Sequence, residues 1–449
     1  MPHGRIPRPH WSGGVDSSIV RSSIEIQPVT GPLHATVQPP GSKSLTNRAL
    51  VCAALADGTS ILTGVLDSED TRVMIQALRA LGLTIVEDHD HELIQIRGCG
   101  GKIPADFADI YVANSGTTIR FLTAMVSLGH GTFRLHGTQR MHERPIQDLL
   151  DALEQLAVTA ASEAATGCPP VVVHANGLQL SRASIRGNTS SQFISALLMA
   201  APYATSTKDS SSFEIMIAGE LVSKPYVAMT LSVMESFGAR VEHDDELQVF
   251  RIARGGYQAR NYQIEPDASA ASYFWAAAAI AGGSVRVKGL NQQSLQGDVR
   301  FCECLEQMGC QVEYETDGIT VLGRPLRGVE VDMNAISDTV QTLSAVALFA
   351  NGPTTIHGVA HIRHKETDRI SALVTELRKL GALVEERIDG LRIVPQPLHG
   401  AKIDTYNDHR MAMSLALVGL NIPGVIINDP ECTAKTYPKF FADLAGLHA

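Results

Sequence analysis

The sequence predicts an α/β fold assembled from six copies of one βαβαββ unit, and three observations predict it. A strand-like run followed by a turn and a helix occurs six times, at residues 60–83, 132–156, 213–239, 284–310, 354–382 and 424–447. An alanine-rich helical segment alternates with it, at 42–58, 114–131, 189–204, 267–283, 337–352 and 407–421. Aligned at Ser44, Thr117, Ser191, Ser269, Thr339 and His409, these segments lie 73, 74, 78, 70 and 70 residues apart, a fixed period of the kind that defines a repeat architecture. Short alternating runs such as 86–98 and 312–323 follow most of the first helices and read as hairpins, completing the unit. A length of 449 residues alone points to about three ordinary domains, and the period replaces that estimate.

The alanine-rich segments are apolar nearly all round, which suits helices buried on several sides. Each begins with Ser, Thr, Asn, Asp or His, residues that cap helices and leave backbone N–H groups free to bind an anion. In the first unit, Pro40-Gly41-Ser42-Lys43-Ser44 precedes Asn47 and Arg48. It is not a phosphate-binding P-loop, which needs GxxxxGK[ST], but Lys43, Ser44 and Arg48 can meet at one helix start. In the second, Asn114-Ser115-Gly116-Thr117-Thr118-Ile119-Arg120 puts a glycine at a helix mouth, where backbone can approach a ligand. Arg140-Met141-His142-Glu143-Arg144-Pro145 leaves Arg144 projecting from a loop, with Pro145 expected at the first helical position. The third unit offers the polar triplet Ser190-Ser191-Gln192, and the fourth the most apolar stretch of the chain, 273–283. In the fifth, His364-Lys365-Glu366-Thr367-Asp368-Arg369 crowds charge onto one helix entry. The sixth leads Asn407-Asp408-His409-Arg410 straight into an apolar helix and ends in Cys432-Thr433-Ala434-Lys435-Thr436-Tyr437-Pro438.

Every helix of the first kind carries a cation at its entry: Arg72, Arg144, Lys224, Arg300, Arg369 and Lys435. A cation there opposes the helix dipole, where an acid is favoured by ~0.3–1 kcal/mol, so an anion is expected to compensate. Arg72 and Arg300 follow Asp70 and Asp298 and are expected to pair with them, leaving Arg144, Arg369 and Lys435 for a ligand. Six units packed in two sets of three can aim their helix N-termini into one cleft.

With 44 % apolar and 19 % charged residues the chain can bury a large core, and a net charge of -10 disfavours nucleic acid or an anionic membrane as partner. The longest apolar run falls well short of the ~20 residues a bilayer span needs. Seven scattered cysteines without a CxxC pair indicate neither disulfides nor zinc and fit a reducing cytoplasm. Cys302 and Cys304 fall in a helix and His89 and His91 in a hairpin turn, so no metal site is expected. Residues 1–23, polar and without an apolar signal core, read as a disordered extension.

The motifs PGSKSLTNRA, NSGTTIR, RMHERPI, SSQF, LVSKPY, DASAASYF, KETDR, YNDHRMAM and CTAKTYP, in this order, resemble those of 5-enolpyruvylshikimate-3-phosphate synthases from about Ile24 onward. The resemblance implies the two-domain enolpyruvyl transferase fold, each domain three βαβαββ units around a pseudo-threefold axis. It divides the chain into a continuous domain, 42–262, and a discontinuous one, 24–41 plus 263–449, with the site in the cleft between. It implies transfer of the enolpyruvyl group of phosphoenolpyruvate to the 5-hydroxyl of shikimate 3-phosphate by addition–elimination in a closing cleft, by a monomer with no metal or organic cofactor.

Carried over by position, the resemblance places shikimate 3-phosphate against Lys43, Ser44, Arg48, Ser190, Ser191, Gln192, Ser223, Tyr226, Asp338, His361 and Lys365. It places phosphoenolpyruvate against Lys43, Asn114, Gly116, Arg144, Gln192, Glu366, Arg369, His409, Arg410 and Lys435. Arg369 and Arg410 suit a carboxylate as forked donors, while Lys43, Arg144 and Lys435 neutralise phosphate. Asp338 is implied as base for the attacking hydroxyl. Glu366 is implied as the acid that protonates the enol methylene, which calls for a raised pKa, and Lys43 as the group stabilising the departing phosphate.

UDP-N-acetylglucosamine enolpyruvyl transferases share the fold and the donor. They place a cysteine near the position of Arg144, whereas the 140–145 loop has none, and Lys43 is followed by Ser44 rather than Asn. A non-enzymatic repeat scaffold accounts for the period but not for cations at helix starts. Two positions depart from the family pattern: His361 stands where many relatives have Asn, and Phe121 where plant and enteric members have Pro. The latter lies near the site of the inhibitor glyphosate, and Gly116 adds no methyl group to crowd it, so inhibition is expected. Unchanged turnover in millimolar glyphosate would remove that expectation.

Overall fold

The computed structural model describes residues 22–205 and 212–448. Among these residues there are six small sheets, five of them with the same strand order. Strand 107–111 runs parallel to 130–136, which pairs antiparallel with 171–176, itself antiparallel to 159–162. The parallel pair requires a crossover, supplied by the intervening helix, and the last two strands form the hairpin. The same order recurs in four further sheets. In the sixth, 402–403 and 426–428 are parallel and the antiparallel partner is 23–25 from the chain start. The expected extension therefore lies outside the described residues up to residue 21, while Ser23 already pairs with Asn428.

Two sheets take a strand from far away in sequence. Leu33–Val37 lies parallel to Gly283–Lys288, and Asn261–Gln263 parallel to Thr59–Thr63. The two chain segments that make these exchanges run side by side: Asp267 N–H donates to Pro40 C=O at 2.8 Å and Ser42 N–H to Glu265 C=O at 2.8 Å. Between them, a Cβ on Gly41 would lie 1.9 Å from the Gly64 carbonyl oxygen, so only glycine fits this crossing.

The helices of the described residues are α1 (Lys43–Leu55), α2 (Glu69–Ala80), α3 (Gly116–Val126), α4 (Gln147–Glu154), α5 (Ser191–Ala200) and α6 (Lys224–Ser236), then α7 (Ala268–Ala281), α8 (Phe301–Met308), α9 (Val340–Ala347), α10 (Arg369–Lys379), α11 (His409–Ala416) and α12 (Phe440–Ala445). The odd-numbered helices are the alanine-rich ones and are buried along nearly their whole length. Small side chains let them pack closely: α3 lies against α1 and α5, and α9 against α7 and α11. The even-numbered helices bury one face only, as an amphipathic pattern dictates.

Two separate apolar clusters result. One runs from Leu45 to Ile264; the other joins Ile26 and Leu33 to residues from Ala268 to Leu447. Trp275 is fully buried in the second and donates its Nε1–H to the Ile319 carbonyl at 3.1 Å. Helix α4 starts two residues after Pro145 rather than on it, because a 3-10 turn over Met141–Glu143 comes first. Trp275→Ala is expected to destabilise the protein by about 3–5 kcal/mol, read as a lower urea midpoint.

Candidate active site

The N-terminal ends of α1, α3, α5, α10 and α11 face one small polar cavity between the two apolar clusters. Serine and aspartate caps start all five helices: Ser42 accepts from Leu45 N–H, Ser115 from Thr118 N–H, Ser190 from Gln192 N–H, Asp368 from Ile370 and Ser371, and Asp408 from Arg410 N–H. The residue after the cap of α1, α3, α10 and α11, respectively Lys43, Gly116, Arg369 and His409, lines the cavity. Glycine at 116 leaves room for two guanidinium groups: a Cβ there would lie 2.4 Å from Arg144 Nη2 and 3.0 Å from Arg120 Nη1, so either side chain would have to shift.

The cations Lys43, Arg144, Lys365, Arg369 and Arg410 line this space against the carboxylates of Asp338 and Glu366. His409 adds no charge, because burial and the neighbouring Arg410 hold its pKa well below the usual histidine value. The cavity thus has a local excess of positive charge inside an acidic protein. Such a donor set suits small polyanions, and both carboxylates are already engaged by arginine.

Arg369 is the hub. It donates to Asp408 Oδ2 at 2.8 Å, to Glu366 Oε2 at 2.9 Å and to Asp338 Oδ1 at 3.2 Å. Arg410 reaches the other Asp338 oxygen at 2.8 Å, and Lys365 stands 3.9 Å from the first. Other contacts join the two halves of the molecule. Lys435 Nζ lies 3.0 Å from Glu366 Oε1 and donates to the Asn114 carbonyl at 2.9 Å. Arg140 donates to the carbonyls of Glu366 and Lys365 at 3.1 and 3.0 Å. Arg144 is held by the carbonyl and side-chain oxygen of Asn114, and its Nε has no partner.

Electrostatics decides the protonation states. Burial raises the pKa of Asp338, but Arg410, Lys365 and Arg369 outweigh it and hold the carboxyl well below the ordinary range. Glu366 behaves alike: burial opposes ionisation, and Lys435, Arg369 and Arg144 prevail. This is opposite to the raised pKa that the acid role calls for, because the cations that bury Glu366 are also its nearest neighbours. Burial lowers Lys365 to about 8, and burial followed by Lys365 lowers His361 to about 3.

The remaining sequence candidates stand outside the lining. Ser44, Ser190 and Ser191 flank helix starts, and Ser190 caps α5. Arg48 is fully buried and spends its guanidinium on Thr230 Oγ1 at 2.7 Å and on the carbonyls of Ser44 and Tyr226 at 2.9 and 3.1 Å. Ser223, Tyr226 and His361 meet at the edge of the interface, where Ser223 Oγ is 3.2 Å from His361 Nε2.

Four residues that the sequence reading did not place in the site take part in it: Asp70, Asp408, Arg140 and Asp298. Arg72 pairs with Asp67 at 2.6 Å and Arg300 with Glu303 at 3.2 Å, not with Asp70 and Asp298. Residues two apart on a helix point to different faces, a rule that already argued against those pairings. Asp70 instead stands 3.6 Å from Lys43 and 4.0 Å from Lys435.

This architecture, six βαβαββ-type units with helix N-termini and cations around an anion cavity, is that of the enolpyruvyl transferases. The chain shares its fold with an enolpyruvyl transferase from Streptomyces tendae (TM-score 0.74, 20 % identity, covering 95 % of this chain and 98 % of that one). An EPSP synthase from Acinetobacter baumannii is similar at TM-score 0.77 and 25 % identity, covering 94 % and 97 %. The family model of EPSP synthase (3-phosphoshikimate 1-carboxyvinyltransferase) matches residues 28–444. A 3-phosphoshikimate 1-carboxyvinyltransferase of Nostoc punctiforme is 50 % identical over 421 residues, 93 % of this chain and 97 % of the relative. One from Marinomonas sp. is 47 % identical over 416 residues, 92 % and 97 % of the two chains. The chain belongs to the EPSP synthase family.

Asp408 is fully buried and is the acceptor for a fully buried Arg369. Asp408→Ala leaves that guanidinium short of its partner and is expected to destabilise the fold by about 3–5 kcal/mol in urea unfolding. A loss below about 1 kcal/mol would show that the Arg369 network tolerates the missing charge.

Proposed function

We propose that this chain transfers the enolpyruvyl group of phosphoenolpyruvate to the 5-hydroxyl of shikimate 3-phosphate, releasing phosphate. The observation that carries the reading is the cavity itself: five cations from four separate segments, Lys43, Arg144, Lys365 with Arg369, and Arg410, converge on one polar space. The names of the relatives support the choice of substrates. We take 42–262 and 24–41 plus 263–449 as the two domains, and both sides of the cleft come from one chain, so a monomer suffices. All seven cysteines are free, which suits a reducing cytoplasm. No helix among the described residues is long and apolar enough to cross a membrane.

In this reading Lys43, Arg144 and Lys435, with Asn114, Gly116 and Gln192, receive the phosphate of phosphoenolpyruvate. Arg369 and Arg410, beside His409, receive its carboxylate. Shikimate 3-phosphate takes the remaining groups, Ser44, Arg48, Ser190, Ser191, Ser223, Tyr226, His361 and Lys365, next to Asp338. Asp338, ionised by Arg410, Lys365 and Arg369, accepts the proton of the 5-hydroxyl as that oxygen attacks C2 of phosphoenolpyruvate. Glu366 donates a proton to C3, giving a tetrahedral ketal phosphate. Phosphate then leaves as a C3 proton returns to base, and the C–O bond to the shikimate ring is kept.

The low pKa of Glu366 set by its cation neighbours has a direct resolution. The phosphate and carboxylate of phosphoenolpyruvate claim Lys435, Arg369 and Arg144, the three cations that keep Glu366 ionised. With their charge balanced, burial becomes the dominant influence and raises the carboxyl toward a proton donor. The substrate thereby prepares its own acid.

Phosphate release on mixing the protein with shikimate 3-phosphate and phosphoenolpyruvate tests the activity, with UDP-N-acetylglucosamine as the competing acceptor. Release only with the UDP-sugar, or with neither, would sink the assignment. Lys43→Ala and Glu366→Ala are each expected to lower kcat by about 10²–10⁴-fold while the folded baseline in circular dichroism is kept. Near-native kcat in either variant would remove that residue's role.

A further inference from the structure

Asp298 is a buried carboxylate that the reaction as described does not use. It sits in the 3-10 turn Gly297–Arg300 ahead of α8, on the side of the cleft that belongs to the second apolar cluster. Its oxygens accept the Tyr226 hydroxyl, which comes from α6 in the other half, at 3.0 and 3.1 Å. The Ser269 hydroxyl, from the first turn of α7, also donates to it. Among the described residues no cation lies within ion-pairing distance of Asp298, so two hydroxyls hold a fully buried acid.

The groups facing it can be named element by element. Tyr226 comes from α6, Ser269 from α7, Asp338 from the turn 334–339 and Arg410 from α11. On its own turn and on α8, Arg300 and Glu303 are tied to each other on the outside. Burial and the charge of Asp338 raise the Asp298 pKa to about 7, against weaker lowering by Ser269, Arg410 and Tyr226.

We propose that Asp298 is a positioning residue that clasps the two halves through Tyr226, and that closing the cleft binds a proton on Asp298, so that closure weakens as pH rises. This rests on the transferase reading only in that Tyr226 is one of the groups assigned to shikimate 3-phosphate. The sign follows from the direction of the shift. A carboxyl whose pKa is higher closed than open favours closure while it is protonated. That advantage fades as pH climbs through the closed-state value. With an ordinary open-state pKa and a closed-state value near 7, closure loses about tenfold in equilibrium constant between about pH 6 and about pH 8.5.

The test compares wild type with Asp298→Asn, which keeps an acceptor for Tyr226 but cannot titrate, and with Asp298→Ala, which removes the acceptor. The ratio of the wild-type KM for shikimate 3-phosphate to that of Asp298→Asn should rise by up to about tenfold over that pH range, the titration of the substrate's own phosphate cancelling in the ratio. Asp298→Ala should raise KM at every pH and hold a constant ratio to Asp298→Asn across the range. A constant ratio would overturn the proposal, because an acid with a merely structural role does not tilt the profile. Small-angle scattering makes the comparison without turnover: wild type should expand between the two pH values and Asp298→Asn should not. Equal behaviour of the two proteins there overturns the clasp even if the enzyme acts on other substrates. Absence of turnover by wild type counts against the transferase reading instead.

Discussion

Everything in the site depends on confining like charges in a space too small for them to avoid one another. Lys43, Arg144, Lys365, Arg369 and Arg410 line one small cavity. At ~4 Å, two unit charges repel by about 4 kcal/mol at the effective dielectric of a protein near its surface. Helix N-termini aimed at the same space add to the repulsion. The fold survives because Asp70, Asp338, Glu366 and Asp408 are distributed among the cations. Arg369 alone engages three of these carboxylates. The arrangement is balanced enough to fold and still deficient in anions, which is what a binding site for two phosphorylated substrates requires.

The same constraint accounts for the carboxylates. Asp338 and Glu366 are buried, and burial by itself would make them neutral. Their partners decide otherwise, and those partners are the groups a substrate anion would take. Charge on the ligand therefore controls charge on the protein: whatever neutralises Lys435 and Arg369 also releases Glu366 to carry a proton. Lys435 and Arg140 belong to opposite halves of the molecule and each crosses the interface, so the electrostatics is coupled to how the halves meet.

The repeat supplies the means of gathering these groups. Each unit presents the start of a buried helix, and packing three such helices together points their ends the same way. Alanine-rich sequences permit that packing because small side chains let backbones approach. The paired crossings at 40–42 and 265–267 then join the halves through two adjacent strands of chain held by a glycine. The two connections run side by side and are tied by backbone hydrogen bonds, which suits an active site assembled from both halves.

Much of this was legible in the amino-acid order. The period, the buried helices, the helix-entry cations and the motifs around Lys43, Arg144, Arg369, Arg410 and Lys435 can be read directly, because helix caps, alanine content and glycine act locally. The lone carboxylates could not be read so easily. Asp70 and Asp298 each sit two residues before an arginine, and only the fold shows that each arginine turns outward to another acid. The ionisation of Glu366 was also hidden, since burial and nearby cations push in opposite directions and only three-dimensional distances rank them. Sequence by itself determined which units form and which side chains stand at their mouths, for those follow from local backbone chemistry. The tertiary structure decided which charges become neighbours, since electrostatic energy depends on separation in space and not along the chain.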